Sequence, residues 1–163
     1  AYLTSKTQVI TNTFTVGDIN IELTETKPEN KQAKIIPGVD IEKDPKVTVK
    51  ANSEACWLFV EVKEEGTFVA DKVTYSIADG WTKGDGTKIP ANVYYRAVDA
   101  VNADTAFPVL QDDKIHVSEE LTKSDIQSIT TQPMLTFTAY AVQKDGINTA
   151  DDAWAKVGTT TNP

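Results

Sequence analysis

The stretch Leu135-Thr136-Phe137-Thr138-Ala139-Tyr140-Ala141-Val142 alternates two sets of side chains without a glycine or a proline. A period of two marks a β-strand, because successive side chains leave an extended backbone on opposite faces. Leu135, Phe137, Ala139 and Ala141 form one apolar face. The other face, Thr136, Thr138, Tyr140 and Val142, carries no charge, so neither face is suited to open water. Such a strand reads as a central member of a sheet.

Working outward, the same alternation recurs at 8–14, 19–24, 46–50, 56–63, 72–77, 92–98 and 114–117, which with 134–142 makes about eight strands. Ile19, Ile21 and Leu23 oppose Asn20, Glu22 and Thr24, and Val47 and Val49 oppose Lys46, Thr48 and Lys50, as half-buried antiparallel strands require. Turn chemistry separates the runs: Val16-Gly17-Asp18, Pro37-Gly38, Asp44-Pro45, Glu65-Gly66, Asp79-Gly80, Gly84-Asp85-Gly86 and Asp145-Gly146. Strands at this spacing predict an all-β fold, a jelly-roll-type antiparallel sandwich, with one or two short helices in its connections. Ser124 with Gln127 has the form of a capping box. Thr149 with Asp152 is a weaker version of it, opening two turns over 150–156 that Gly158 ends.

The chain has 163 residues, enough for one domain with a sizeable core. Its net charge is −8, and Arg96 is the only arginine, which argues against nucleic acid as a partner. Threonine occurs 22 times, a bias toward pleated surfaces. No apolar run approaches the roughly 18 to 20 residues of a membrane span. A start at Ala1-Tyr2-Leu3, with no initiator Met, is what signal-peptide cleavage behind a small residue leaves, and predicts export. Removal of an initiator Met before Ala leaves the same start.

Catalytic chemistry is scarce. Cys56 and His116 each occur once, which excludes a disulfide framework and any metal centre built from several His or Cys ligands. Cys56 shares a strand face with Leu58, Val60 and Val62 and reads as a buried apolar residue. His116 sits on a strand beside Glu119 and Glu120, with no nucleophile motif, no H-E-x-x-H and no phosphate loop. Gly80-Trp81-Thr82-Lys83-Gly84-Asp85-Gly86 opens no helix and reads as a hairpin connection. Asp112-Asp113 and Asp151-Asp152 lack a calcium-loop spacing. The chain is therefore read as non-enzymatic, with no catalytic, metal or cofactor-binding residue. Trp57, Trp81 and Trp154 suit either core packing or a sugar-stacking platform.

The N-terminal residues Ala1, Tyr2, Leu3, Thr4, Ser5, Lys6, Thr7, Gln8, Val9 and Ile10 are β-forming and contain neither Gly nor Pro. Ten extended residues reach about 33 Å, enough to pair inside the chain or along a neighbour's sheet edge. Leu3 and Val9, or Tyr2 and Ile10, would then face inward, according to register.

Thr11-Asn12-Thr13-Phe14-Thr15-Val16-Gly17-Asp18-Ile19-Asn20-Ile21-Glu22-Leu23-Thr24-Glu25 resembles the opening of the TasA/camelysin family of exported bacterial proteins. So do Ile36-Pro37-Gly38 followed by Lys43-Asp44-Pro45-Lys46-Val47-Thr48-Val49, the run Trp57-Leu58-Phe59-Val60-Glu61-Val62, and the late strand that ends at Gln143. The resemblance implies a jelly-roll domain, secretion, and assembly into extracellular biofilm-matrix fibres. In these, the N-terminal segment of one subunit completes the sheet of the next. A head-to-tail contact of this kind does not close and gives a filament. The family also carries a metalloprotease label. One histidine cannot build a His-based zinc site in one chain, leaving only carboxylates or a site shared between chains.

The expected organisation is a donor-strand segment over 1–10, a β-sandwich over 11–158 and a flexible tail over 159–163. The expected partner is a second copy of the chain, with other matrix components as further partners. The expected location is outside a bacterial cell, at its surface or in the matrix. The alternatives are a monomeric cell-surface adhesive or carbohydrate-binding module and a secreted hydrolase or protease.

Overall fold

The computed structural model describes residues 2–9, 19–26, 33–131 and 133–157. The strands are β1 (Tyr2–Val9), β2 (Ile21–Thr24), β3 (Ala33–Lys34), β4 (Ile41–Glu42), β5 (Lys46–Val49), β6 (Cys56–Glu65), β7 (Val73–Thr74), β8 (Thr82–Lys83), β9 (Val93–Val98), β10 (Thr105–Pro108), β11 (Lys114–Val117) and β12 (Met134–Gln143). Two helices, α1 (Lys123–Gln127) and α2 (Ala150–Lys156), lie in connections, and a 3₁₀ turn, Gln111–Asp113, leads into β11.

The strand around Phe137 is central, as its two uncharged faces predict. β12 pairs antiparallel with β6 over all ten residues of each, from Met134↔Glu65 to Gln143↔Cys56. The full sheet has six strands in the order β3-β1-β12-β6-β9-β8. Two three-stranded sheets, β10-β5-β2 and β4-β11-β7, supply the second layer of the sandwich. Leu58, Val60, Leu135, Phe137 and Ala139 from the large sheet meet Val47, Val49, Ile115 and Val117 from the small ones in the main core. Cys56, Leu58, Val60 and Val62 line one buried face, as the alternation predicts.

The outer face of the large sheet has its own cover. Phe59 and Val142 pack with Ile89, Val93, Ile147, Ala150 and Ala153, so α2 and the turn before β9 close this side. Trp154 of α2 stands 5.2 Å from Phe59 and 5.4 Å from Tyr140 between ring centroids. In that turn Gly84 lies so close to its neighbours that a Cβ there would come within 2.0 Å of the Pro90 carbonyl oxygen.

Several local expectations are corrected. The first described strand runs over Tyr2–Val9 and includes Gln8 and Val9 of the run expected over 8–14, whose residues 10–14 lie outside the described residues, as do Gly158 and the tail 159–163. The Gly80 to Gly86 connection contains β8, an edge strand paired with Tyr94 and Tyr95. The capping box of α1 is Thr122 with Asp125, two residues before the expected Ser124 with Gln127. Thr122 Oγ1 accepts from the Asp125 amide at 3.0 Å, and the Thr122 amide donates to Asp125 Oδ2 at 2.9 Å. An ionised Asp at the third position suits the positive helix end better than a neutral Gln, and Lys72 Nζ, 2.7 Å away, holds it. For α2, the predicted Thr149 cap and the 150–156 span both match.

Phe137→Ala removes a fully buried ring from the centre of the main core. It is expected to cost about 3–5 kcal/mol in denaturant unfolding, whereas Val39→Ala, at a side chain 51% exposed, stays within about 0.5 kcal/mol. The Lys72 ammonium and the Thr122 amide hold the Asp125 carboxyl down to about 2, from 3.8. A depressed carboxyl stabilises the fold above its unfolded value and loses that contribution as pH falls through the folded one. Asp125→Asn should therefore flatten the loss of stability between about pH 4 and pH 2, read from thermal melts across that range.

Candidate functional site

Residues 2–9 of the N-terminal segment pair within their own chain, while Ala1 and Ile10 lie outside the described residues. β1 lies between β3 and β12. Its pairing with β12 is parallel, from Thr4↔Met134 through Val9↔Ala139, while all other described strand pairs are antiparallel. β3 contributes only Tyr2↔Lys34 and Leu3↔Ala33 on the far side. In this register Ser5, Thr7 and Val9 stand opposite Leu135, Phe137 and Ala139, which are fully buried on the core side of β12.

The first and last described strands are thus neighbours running the same way. A parallel pair cannot be closed by a tight hairpin, so β1 reaches its place beside β12 through a long connection rather than a turn. Without β1, β12 would present six residues of backbone edge, Met134 to Ala139, beside an apolar floor. An open edge of that kind is a template for pairing with another extended segment.

Polar groups sit close beneath this slot. The Lys43 ammonium is paired with the Glu25 carboxylate, with side-chain exposures of 5% and 6%, and lies 5.1 Å from the centroid of the Phe137 ring. Burial pushes the Lys43 pKa down, opposed by the Glu25 carboxylate. The Lys43 amide donates to the Asp113 carbonyl at 2.8 Å. Asp113 Oδ1 is buried without a hydrogen-bond partner among the described residues. The floor of the slot therefore has an ionic underside, which sequence reading missed. The signal was a Lys at 43, two positions after the apolar Ile41 and so on the same face of an extended run, just before Asp44-Pro45.

The residues weighed for chemistry do not converge. His116 is exposed, with Nδ1 2.7 Å from Asp40 Oδ1, and Lys114 Nζ is 3.2 Å from Asp40 Oδ2. These contacts hold the Asp40 carboxyl below its usual range, His116 first among them. Cys56 is wholly buried, and desolvation pushes its thiol up to about 12, far from a reactive thiolate. Among the described residues no three His, Cys, Asp or Glu side chains are grouped to hold a metal ion. Trp57 Nε1 donates to the Ile147 carbonyl at 2.9 Å, Trp81 Nε1 donates to the Pro108 carbonyl at 2.8 Å, and Trp154 belongs to the outer cover. Trp57 and Trp154 share that cover while Trp81 packs on the main core, so the three indoles form no common platform. No described helix is long and apolar enough to cross a membrane.

Comparison with family models, with characterised proteins and with solved structures finds no match, leaving the geometry of the slot to bear on function.

Lys43→Met is expected to cost about 3–5 kcal/mol, because it removes the ammonium from a buried ion pair with Glu25 beneath the sheet. Replacing the pair together, Lys43→Met with Glu25→Leu, should recover most of the loss. Chemical denaturation of the three proteins gives the comparison, and a single variant as stable as the parent would show that the pair carries no such weight.

Proposed function

We propose that the chain is a secreted, non-enzymatic structural subunit that polymerises into extracellular fibres of a bacterial matrix, its N-terminal segment filling the slot of the next copy. The observation that carries this reading is the parallel placement of β1 beside β12. A strand in a slot that it fills without a hairpin can be exchanged for the same strand of a neighbour with every pairing kept. The exchange is heterologous, so each subunit gives one strand and receives one, and the chain of contacts does not close. Parallel backbone bonds would supply continuity, and register would be fixed by what the slot accepts at the positions of Leu135, Phe137 and Ala139. The resemblance to the TasA/camelysin opening supports the same reading, including export.

The same geometry favours a second reading, a monomeric cell-surface module. A chain whose β1 fills its own slot needs no neighbour. The two readings differ in what the filled slot is: a finished domain, or one state of an exchange.

The full chain and a variant lacking residues 1–10 separate them by negative-stain electron microscopy and sedimentation velocity. Filaments from the full chain and none from the shortened one are expected. Filaments from both would overturn the donor-strand assignment, and a full chain that stays monomeric at high concentration would favour the self-contained module.

A further inference from the structure

On the large sheet, away from the slot, β6 runs on past the end of β9. Their pairing stops at Glu61↔Val93, and the Val62 amide makes one more bond, to the Asn92 carbonyl at 2.9 Å. Beyond it opens a groove of about 440 Å³, lined by Tyr75, Tyr94, Lys63, Lys83, Glu64 and Asn92 among others. Its one carboxylate is already engaged: Tyr75 Oη donates to Glu64 Oε2 at 2.5 Å. Burial and that carboxylate push the Tyr75 pKa up, so the phenol keeps its proton. Lys63 is drawn 3.5 Å from Glu65, while Lys83 is exposed and has no ion pair among the described residues.

Next to the groove, β9 carries a second cation on the same face. Residues two apart on a strand share a face, so Arg96 follows Tyr94. The Lys83↔Tyr94 and Thr82↔Tyr95 register brings Trp81 alongside Arg96. The guanidinium carbon lies 4.3 Å from the Phe107 ring centroid and 5.1 Å from that of Trp81, which its bond to Pro108 holds in place. A Cβ at Gly80 would stand 2.4 Å from Arg96 Nη2, so glycine at 80 makes the room the guanidinium occupies. The only arginine of a chain with net charge −8 thus makes no ion pair, and its guanidinium no hydrogen bond, among the described residues. A half-buried guanidinium set against aromatic rings and lacking an anion has the form of a carboxylate receptor, since its fork of N–H donors matches two carboxylate oxygens. Four rings, Tyr75, Tyr94, Trp81 and Phe107, border the two unpaired cations, and pyranose C–H faces stack on such rings.

We propose that this β8–β9 strip binds an acidic polysaccharide, with Arg96 and Lys83 holding uronate carboxylates and Tyr94 and Trp81 backing the sugar rings. The site is separate from the slot and does not depend on polymerisation. An acidic peptide would satisfy the cations but leave the ring faces unused.

Titration of the full chain with trigalacturonate, followed by calorimetry and by amide chemical shifts, tests it. Saturable binding is expected, with shifts at Gly80, Lys83 and Tyr94. Lys83→Gln and Arg96→Gln are each expected to weaken it about tenfold. Lys123→Gln, at an exposed lysine on α1, should leave binding unchanged. Lys83 is exposed on an edge strand, so its variant tests the site even if the Arg96 change lowers stability. Absence of saturable binding, no effect of Lys83→Gln, or an equal loss with Lys123→Gln would overturn the site. Equal affinity for cellotriose or for polyglutamate would overturn the ligand class.

Discussion

The ten-residue ladder between β12 and β6 is the constraint from which the rest of the sandwich follows. Both strands carry apolar side chains on both faces, so each face of the ladder needs a separate cover. The core face takes the two small sheets, and the outer face takes α2 with the turn at Ile89. On the β6 side β9 continues the sheet, whereas β12 pairs along neither of its edges with β11, the described strand before it in sequence. Its second edge is left for whatever extended segment reaches it, and in this structure that segment is the first strand.

The periodic parts of this fold were legible. Alternation over 19–24, 46–50, 56–63 and 134–142 places the long strands, because a half-buried or buried strand writes its period into adjacent residues. Short strands were not legible for the same reason: β3, β4 and β8 are two residues each, too few to show a period, and of the run expected over 72–77 only Val73–Thr74 forms a strand, β7. β10 hid because Thr105–Pro108 ends on a proline, which suits its edge position yet argues against a strand when read alone. The cap of α1 was read two residues late because Ser124 and Thr122 are both good caps; Lys72, 53 residues from Asp125, helps decide between them, and no local window contains it. The N-terminal segment was recognised as a pairing strand, but its parallel register depends on the far end of the chain. The Arg96 cluster joins Gly80, Trp81 and Phe107 through tertiary contact alone.

Charge is distributed to match these two regions. Beneath the slot it is internal and paired, as Lys43 with Glu25, where it costs desolvation and fixes the loop before β5 against the sheet. Along β8 and β9 it is cationic and set among rings, on a molecule otherwise in acidic excess. In the proposed fibre the slot would lie inside the contact between subunits and the strip on a different part of the large sheet. One sheet would then divide cohesion from adhesion by strand position.

The lone thiol bears on how such a material ages. Cys56 opens β6 at the base of the main core, opposite Gln143 of β12, with no surface exposed. Oxidants in an extracellular setting meet no accessible sulfur until that ladder parts, and a copy that stays folded cannot be tethered to its neighbours by a disulfide. No disulfide would then contribute to cohesion between such copies. The assembly would be renewable by exchange, and only a subunit that has lost its fold could become linked through its thiol.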